Sequence, residues 1–297
     1  MTKALYIFCM IIFCGSLLYH FAALKVFNFL VPKDAGSLLR AANLPYGTDP
    51  QQRLDIYEPK SKPANLPILI FVHGGSWTTG NENDYEFVGR AFAAKGYITI
   101  AMGYRGLPNA GYPDFIFDVA EVVKWSIQNA AAYGGNLQNI FLVGHSAGAY
   151  NVAMASLDQH YFKAAGVEPS TIKAVATLAG PFDFLPLDTP ATKATFGHIK
   201  DLNATQPITY ARLDAPPFLL LQGLSDKTVY PKNSRSLQAH LIATGAKATL
   251  IEYENVTHAG ILLDLAKPLR GRAKVLEDID KFFKDILRQF PKPDHNG

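Results

Sequence analysis

The residues best suited to chemistry lie in the stretch Ile140 to Tyr150, which reads IFLVGHSAGAY. Four apolar residues run directly into Gly-His-Ser-Ala-Gly, and an apolar, Ala-rich stretch follows. Glycines at 144 and 148 permit a tight strand-to-helix turn that would hold the hydroxyl of Ser146 up for nucleophilic attack. So short a pattern also arises by chance. Its interpretation therefore depends on whether the chain supplies a base and an acid for the serine.

Both partners are present in the required order. A serine hydroxyl attacks a carbonyl only when a base takes its proton, and the base needs a carboxylate to fix its tautomer. The turn predicts an acid and then a histidine, each after a later strand. Asp226 follows the apolar run PFLLLQG, and His258 follows the run ATLIEY. Asp183 is a rival acid whose alternative role is capping or hydrogen bonding, and His145 is interpreted as a packing residue beside the site.

A glycine loop offers donors for the negative charge that develops on a carbonyl oxygen during attack. HGGSW at 73–77 directly follows the apolar run ILIFV. The backbone N–H groups of Gly74 and Gly75 are predicted donors, Ser76 is a further one, and Ala147 supplies the N–H after the nucleophile. A plain glycine turn is the alternative interpretation. The sequence has no H-E-x-x-H spacing, phosphate loop or dinucleotide fingerprint, so neither a metal nor a cofactor is expected.

The chain also contains the strands and helices needed to position these groups. Segments with helical character separate the apolar runs, and from residue 275 to 290 apolar residues recur at steps of three and four, which predicts an amphipathic helix. Alternating strands and helices predict a mostly parallel sheet covered by helices on both faces. The predicted strands are RLDIY (53–57), ILIFV (68–72), YITIA (97–101), IFLV (140–143), IKAVATL (172–178), PFLLLQG (217–223) and ATLIEY (248–253).

The N-terminus differs from the rest of the chain. Residues 4–24 contain no formal charge, and about 20 apolar residues suffice to cross a bilayer as a helix. We predict that residues 1–30 form a single membrane anchor, with a cleaved signal or a buried helix as alternatives, and that the domain at 31–297 lies outside the cytoplasm. Within that domain, the long irregular stretch at about 180–216 is predicted to be a lid-like insertion.

Composition excludes other classes of protein. The net charge is +3 and the chain has no run of basic residues, so nothing favours a nucleic-acid partner. The two cysteines, Cys9 and Cys14, both lie in the apolar N-terminal stretch. The remaining residues can therefore form neither a disulfide framework nor a cysteine-ligated metal site.

Taken together, the motifs resemble those of the α/β-hydrolase carboxylesterases, in the branch with hormone-sensitive-lipase-like esterases and kynurenine formamidases. The similarity extends from about Leu44 to Phe290, and an α/β-hydrolase fold is what it implies. In two places the chain departs from the pattern: the loop reads HGGSW rather than HGGG, and Asn136 stands where an acidic residue is common. The matching segments are LPYGTDPQQRLDIYEP (44–59), HGGSW (73–77), GYR (103–105), YGGN (133–136), GHSAGA (144–149), GLSDKTV (223–229) and TH (257–258).

The resemblance implies hydrolysis of small-molecule carboxylic esters through an acyl-enzyme, with Ser146, His258 and Asp226 as catalytic triad. Trp77 and Tyr104 are candidate substrate contacts near the mouth of the site, and Phe182 is a candidate in the insertion, with packing as its alternative role. One alternative function is an arylformamidase-type amidase acting at the same site. Another is a catalytically inactive, membrane-tethered binding protein.

Overall fold

The computed structural model describes residues 23–61 and 64–289, and eight strands in this part of the chain form one sheet. Their order across the sheet is β1-β2-β4-β3-β5-β6-β7-β8. The β1–β2 and β2–β4 pairs are antiparallel, and all other neighbours are parallel. The strands are β1 (Ser37–Pro45), β2 (Arg53–Pro59), β3 (Leu66–Val72), β4 (Ile98–Met102), β5 (Gly135–His145), β6 (Ile172–Leu178), β7 (Phe218–Gly223) and β8 (Ala248–Tyr253).

Helices connect the strands, as the alternation in the sequence predicts. Short 3-10 turns accompany them at Glu82–Tyr85, Ala130–Tyr133, Pro169–Thr171, Leu202–Thr205 and Pro207–Tyr210. The helices are α1 (23–30), α2 (Glu86–Ala94), α3 (Asp114–Asn129), α4 (Ala147–Leu157), α5 (His160–Ala164), α6 (Pro190–Phe196), α7 (Lys232–Ala243), α8 (His258–Leu263) and α9 (Val275–Gln289).

The sheet is buried on both faces, which explains why its parallel strands are continuously apolar. Along β3, Ile68, Ile70 and Val72 pack into one core with α3 and α4, whereas Leu69 and Phe71 pack into a second core with α2 and α9. Successive side chains of a strand point to opposite faces, so one run of apolar residues serves both cores. The predicted parallel sheet with helices on both sides is confirmed.

Residues 180–216 contain more regular structure than the sequence indicates. Thr189 caps α6, and Pro190 occupies the first turn of that helix, where its missing N–H costs nothing. Backbone carbonyls in the segment accept hydrogen bonds from tyrosine hydroxyls: Tyr150 donates to Thr205 at 2.8 Å, and Tyr112 donates to Ala204 at 3.0 Å. Residues 180–216 are therefore fastened to α4 and to the residues that directly precede α3.

The predicted membrane anchor falls mainly on residues 1–22, which lie outside the described residues. In the part of the chain that the structure describes, no helix is both long and apolar enough to span a membrane. Residues 23–30, the last of the predicted anchor, form α1, which packs on the domain, and the boundary at residue 30 stays a prediction. Phe27 contacts Phe87 edge-on at 5.4 Å, and Asn28 donates to the carbonyl of Asn83 at 3.0 Å.

Candidate active site

Ser146 occupies a strained turn between β5 and α4. Its backbone has φ 54° and ψ −122°, a conformation that L-residues rarely adopt, and its N–H donates to the carbonyl of Leu178 at 2.9 Å. A Cβ on Gly148 would overlap the carbonyl oxygens of Val72 and His73, so only glycine permits this approach of α4 to β3. The turn holds the Ser146 side chain at the carboxyl edge of the sheet, partly exposed.

His258 joins the serine to the acid. It is the first residue of α8, and Thr257 caps that helix by accepting from the N–H of Gly260 at 3.1 Å. Its Nε2 lies 2.9 Å from Ser146 Oγ, and its Nδ1 lies 2.8 Å from Asp226 Oδ2. The three residues that the sequence places 80 and then 32 positions apart therefore form one hydrogen-bonded chain, with the geometry of a proton-relay triad.

Asp226 is buried and fully hydrogen-bonded. Its Oδ1 accepts from the backbone N–H groups of Thr228 (2.8 Å) and Val229 (2.9 Å), and its Oδ2 accepts from His258 and from Gln222 Nε2 (3.2 Å). Burial alone would raise the pKa of this carboxyl. The hydrogen bond and charge of His258, together with the two N–H groups, hold the pKa below its ordinary value. Asp226 therefore stays ionised at neutral pH.

Gln222 is a supporting residue that sequence reasoning missed. The Oε1 atom of Gln222 accepts from Ser234 Oγ at 3.0 Å, and its Nε2 also donates to the carbonyl of Val229 at 3.1 Å, so the amide has one orientation. A polar side chain at the end of the buried run PFLLLQG is the available signal, because buried amides need partners. Its partner Ser234 lies on α7, which no local pattern could reveal.

The rival acid Asp183 has a different environment. Its carboxylate accepts from Ser236 Oγ at 2.6 Å, and its backbone N–H donates to Asn233 Oδ1 at 2.9 Å. Both partners lie on α7. The structure therefore gives Asp183 the hydrogen-bonding role, whereas His258 bonds to Asp226.

The glycine loop lies against the serine. A Cβ on Gly74 would stand 2.9 Å from Ser146 Cβ, and Ser76 has a left-handed backbone with φ 53°. Within the described residues the N–H groups of Gly75 and Ser76 have no acceptor, while the carbonyl of Gly75 accepts from Thr78 and Thr79. Ala147 begins α4, where first-turn N–H groups have no partner in the helix. Donors are thus available on both sides of Ser146, and their role toward an oxyanion stays a prediction.

His73 holds this loop from beneath. Its ring is stacked between Tyr85 (centroids 5.3 Å apart) and Tyr104 (4.5 Å), and its Nδ1 lies 2.6 Å from the carbonyl oxygen of Gly74. Burial lowers the pKa of His73 to about 4, although the bond to Gly74 opposes the shift. The ring is therefore neutral at pH 7, and Nδ1 carries the proton that it donates to Gly74.

The three candidate substrate contacts are buried: Trp77 and Tyr104, which the sequence predicts near the mouth of the site, and Phe182 in the segment 180–216. Trp77 donates from Nε1 to Asn151 at 3.0 Å and packs edge-on against Phe196. Tyr104 covers His73 and donates to its carbonyl oxygen at 3.2 Å, and Phe182 is completely buried. Packing is the role that the structure gives these rings, because each is covered by neighbouring side chains. Any contact with substrate is untested.

His145 contacts two parts of the site. Its Nε2 lies 3.1 Å from the backbone carbonyl oxygen of His258, and its ring centroid lies 5.0 Å from that of His258. Its Nδ1 would stand 3.1 Å from a Cβ on Gly74. Burial, followed by the charge of His258, lowers the pKa of His145 to about 3, so the ring is a neutral donor. The predicted packing role is therefore extended by a hydrogen bond to the main chain of His258.

The site holds no set of metal ligands. In residues 23–61 and 64–289, no three His, Cys, Asp or Glu side chains are grouped so that they could bind a metal ion.

A sheet of this order, with the serine turn after β5, the acid after β7 and the histidine after β8, defines the α/β-hydrolase fold. The profile of the BD-FAE family matches residues 54–241, more than half of the chain. The chain belongs to the BD-FAE family. This agrees with the α/β-hydrolase resemblance of the motifs, while the assignment to the hormone-sensitive-lipase-like or formamidase branch stays a prediction.

The sequence relatives are named as esterases. The chain is 31% identical over 257 residues to a probable isoprenylcysteine alpha-carbonyl methylesterase of Oryza sativa subsp. japonica, covering 79% of this chain and 61% of the relative. It is 29% identical to esterase LipC of Mycobacterium tuberculosis, covering 75% of this chain and 60% of that protein. The chain thus spans about three-fifths of the length of these curated relatives.

Solved structures agree on the fold. Esterase B from Lactobacillus rhamnosis superposes with a TM-score of 0.82 at 21% identity, over 95% of this chain and 96% of that chain. Esterase 2 from Thermogutta terrifontis, phosphonylated by sarin, gives a TM-score of 0.69 at 21% identity, over 86% of this chain and 96% of that chain. At such identity the likeness concerns the fold alone.

Proposed function

We propose that this protein is a serine carboxylesterase that hydrolyses small-molecule carboxylic esters through an acyl-enzyme. The observation that carries the proposal is the hydrogen-bonded chain from Ser146 through His258 to Asp226, with spacings of 2.9 and 2.8 Å. The esterase names of the sequence relatives support the same reaction.

The proposed steps follow the general logic of a serine–histidine–aspartate triad. His258 accepts the hydroxyl proton of Ser146 as Oγ attacks the ester carbonyl, and Asp226 stabilises the imidazolium that forms. Backbone N–H groups of Gly75 and Ala147, with Gly74 and Ser76 beside them, stabilise the oxyanion. His258 then returns the proton to the leaving alcohol, and a water molecule attacks the acyl-enzyme by the same route. The carboxylic acid leaves, and Ser146 recovers its proton.

The direct experiment combines activity and labelling. The wild type should hydrolyse p-nitrophenyl esters and should react with a fluorophosphonate probe at Ser146. Ser146→Ala should lose both, with kcat reduced by about a million-fold, because the nucleophile is gone. Activity that persisted in the variant would contradict the proposal, and an unlabelled wild type would favour the inactive binding protein instead.

An arylformamidase-type amidase is the second candidate, because the loop reads HGGSW and the same triad would serve. Comparing kcat/KM for N-formylkynurenine with that for p-nitrophenyl acetate separates the two reactions. The names of the plant relatives add carboxyl methyl esters to the substrates that should be tested beside them.

The proposal also covers where in the cell the protein lies. Residues 4–24 carry no formal charge and are long enough to cross a bilayer, which supports a single N-terminal span. We place the catalytic domain outside the cytoplasm because secretory N-termini usually begin with such a stretch. External protease should then degrade the domain in spheroplasts without detergent. A domain that stayed protected until lysis would place it inside.

A further inference from the structure

Apart from Lys25 and Asn28, the side chains of helix α1 are apolar, on its outer face as well as on its inner face. The inner face packs on the domain, and side chains three and four positions apart share a face of a helix. The outer face presents Val26, Phe29 and Leu30, with exposed fractions of 57%, 83% and 69%. Exposed helices normally turn polar residues outward, and a helix that is apolar all round is typical of a buried or lipid-facing environment. The inner face consists of Leu24, Phe27, Asn28 and Val31.

The inner face fixes the helix firmly in place. Phe27 packs edge-on against Phe87, and the amide of Asn28 makes two hydrogen bonds, from Nδ2 to the carbonyl of Asn83 (3.0 Å) and from the N–H of Phe87 to Oδ1 (3.2 Å). Val31 is buried in the core beside α2. The outer apolar face therefore has a defined position on the domain.

That position is at the carboxyl edge of the sheet, where the candidate active site lies. Asn28 holds the turn Glu82–Tyr85, and Tyr85 stacks on His73 beneath the glycine loop. After the helix, Asp34 forms a two-fold ion pair with Arg270 (2.7 and 2.8 Å), in the segment between α8, which begins with His258, and α9. Both contacts are made by segments that join the carboxyl end of a strand to the next long helix.

We propose that the outer face of α1 lies in the interfacial region of a lipid bilayer, so that the candidate active site works at the membrane surface. The sequence that leads into this face, residues 4–24, has no formal charge and is long enough to enter the same bilayer. Lys25 is exposed beside the apolar face, and Lys33 follows the helix and donates to the backbone carbonyls of Asn28 and Val31. Cationic residues beside an apolar face are typical of helices that lie in the interface. The substrates are then esters whose apolar part is dissolved in the membrane; this last step rests on the proposed esterase function.

The location can be measured without any activity. In the full chain with Cys9→Ala and Cys14→Ala, an environment-sensitive fluorophore is attached to Phe29→Cys, and the protein is reconstituted in phosphatidylcholine vesicles. The matched control carries the label at Leu213→Cys, which is 70% exposed in the segment 180–216, outside α1. A doxyl group near the lipid headgroup should quench the label at 29 and leave the control bright, and aqueous iodide should do the reverse.

Two results would overturn the proposed location. One is equal access of iodide to both labels. The other is self-quenching of the label at 29 that disappears when the protein is diluted in lipid, because this result would make a second copy of the chain the occupant of the face.

Activity tests the substrate class. The double variant Phe29→Ser/Leu30→Ser should hydrolyse p-nitrophenyl palmitate held in vesicles about tenfold more slowly than the wild type, because it loses apolar contact with the bilayer. Its rate on soluble p-nitrophenyl acetate and its labelling by fluorophosphonate should stay unchanged. An undiminished rate on the vesicle ester, or an equal loss on both esters, would refute the membrane-ester class. A wild type inactive on both esters would refute the esterase function instead, and the fluorescence result would still decide the location.

Discussion

Asp226→Asn tests the proposed roles of Ser146, His258 and Asp226 by changing the most deeply buried of the three residues. In the wild type, Oδ1 accepts two backbone N–H groups, and Oδ2 accepts His258 Nδ1–H and Gln222 Nε2–H. The amide has only one oxygen. Because the two backbone donors cannot turn away, that oxygen will occupy the Oδ1 position, and the NH₂ group will face His258 and Gln222.

The consequence for the imidazole follows from this orientation. Faced by a donor, His258 Nδ1 must become the acceptor, so its proton moves to Nε2 and points at Ser146 Oγ, 2.9 Å away. An imidazole protonated at Nε2 cannot take the serine proton. The wrong tautomer lowers kcat by about 10⁴ in enzymes of this type, which corresponds to about 5.5 kcal/mol in the activation free energy.

Initial rates on p-nitrophenyl acetate give kcat, and labelling with a fluorophosphonate gives a second measure that is independent of substrate binding. Asp183→Asn is the matched control, because that carboxylate bonds to Ser236 and should leave kcat within about twofold. A drop of less than tenfold for Asp226→Asn, or an equal drop for both variants, would refute the reasoning.

Asp226 should also affect how the free energy of unfolding depends on pH. The pKa of Asp226 is lowered in the folded state, so its contribution to stability is present above the unfolded pKa of about 3.9 and is lost as pH falls through the folded value. The difference in unfolding free energy between the wild type and Asp226→Asn should therefore narrow as pH falls below about 4, measured by urea denaturation.

Three further substitutions test other contacts. Gly148→Ala should cost at least about 3 kcal/mol in urea unfolding, because its Cβ overlaps backbone carbonyls, whereas Gly271→Ala, with open space around it, should change little. Arg105→Met should cost about 3–5 kcal/mol by stranding the buried carboxylate of Asp118, and a loss below 1 kcal/mol would contradict a firmly held pair. His145→Met should lower kcat about tenfold at unchanged KM, because it removes the hydrogen bond to the carbonyl of His258. His145→Gln keeps a donor and should restore kcat. Equal values of kcat in the two variants would argue against a role for this hydrogen bond.

The sequence predicts the central strands and the order of Ser146, Asp226 and His258 along the chain, because both depend on local signals. A buried parallel strand requires an unbroken apolar run, and β6 matches its predicted bounds of 172–178. The serine turn requires glycine at 144 and 148, since backbone atoms occupy the space of a side chain there. Once the order of the strands is known, Asp226 and His258 can be identified as the acid and the histidine that come after the later strands.

Other features depend on contacts between distant residues, and no local pattern encodes them. The edge strand β1 is half-exposed and irregular, so its apolar alternation is weak. The burial of Trp77 and Tyr104 is set by partners on α4 and in the glycine loop. An aromatic residue beside a catalytic motif can point toward substrate or toward the core, and only the fold decides which.

The tyrosine hydroxyls that hold residues 180–216 have a consequence for the time course of the reaction. Tyr150 is bonded to Thr205 and Tyr112 to Ala204, while Tyr210, which also donates to Ala204, belongs to the segment itself. We therefore expect the segment to stay in place during turnover and to add no slow opening step. Progress curves should start without a lag, and turnover should report acylation and deacylation directly.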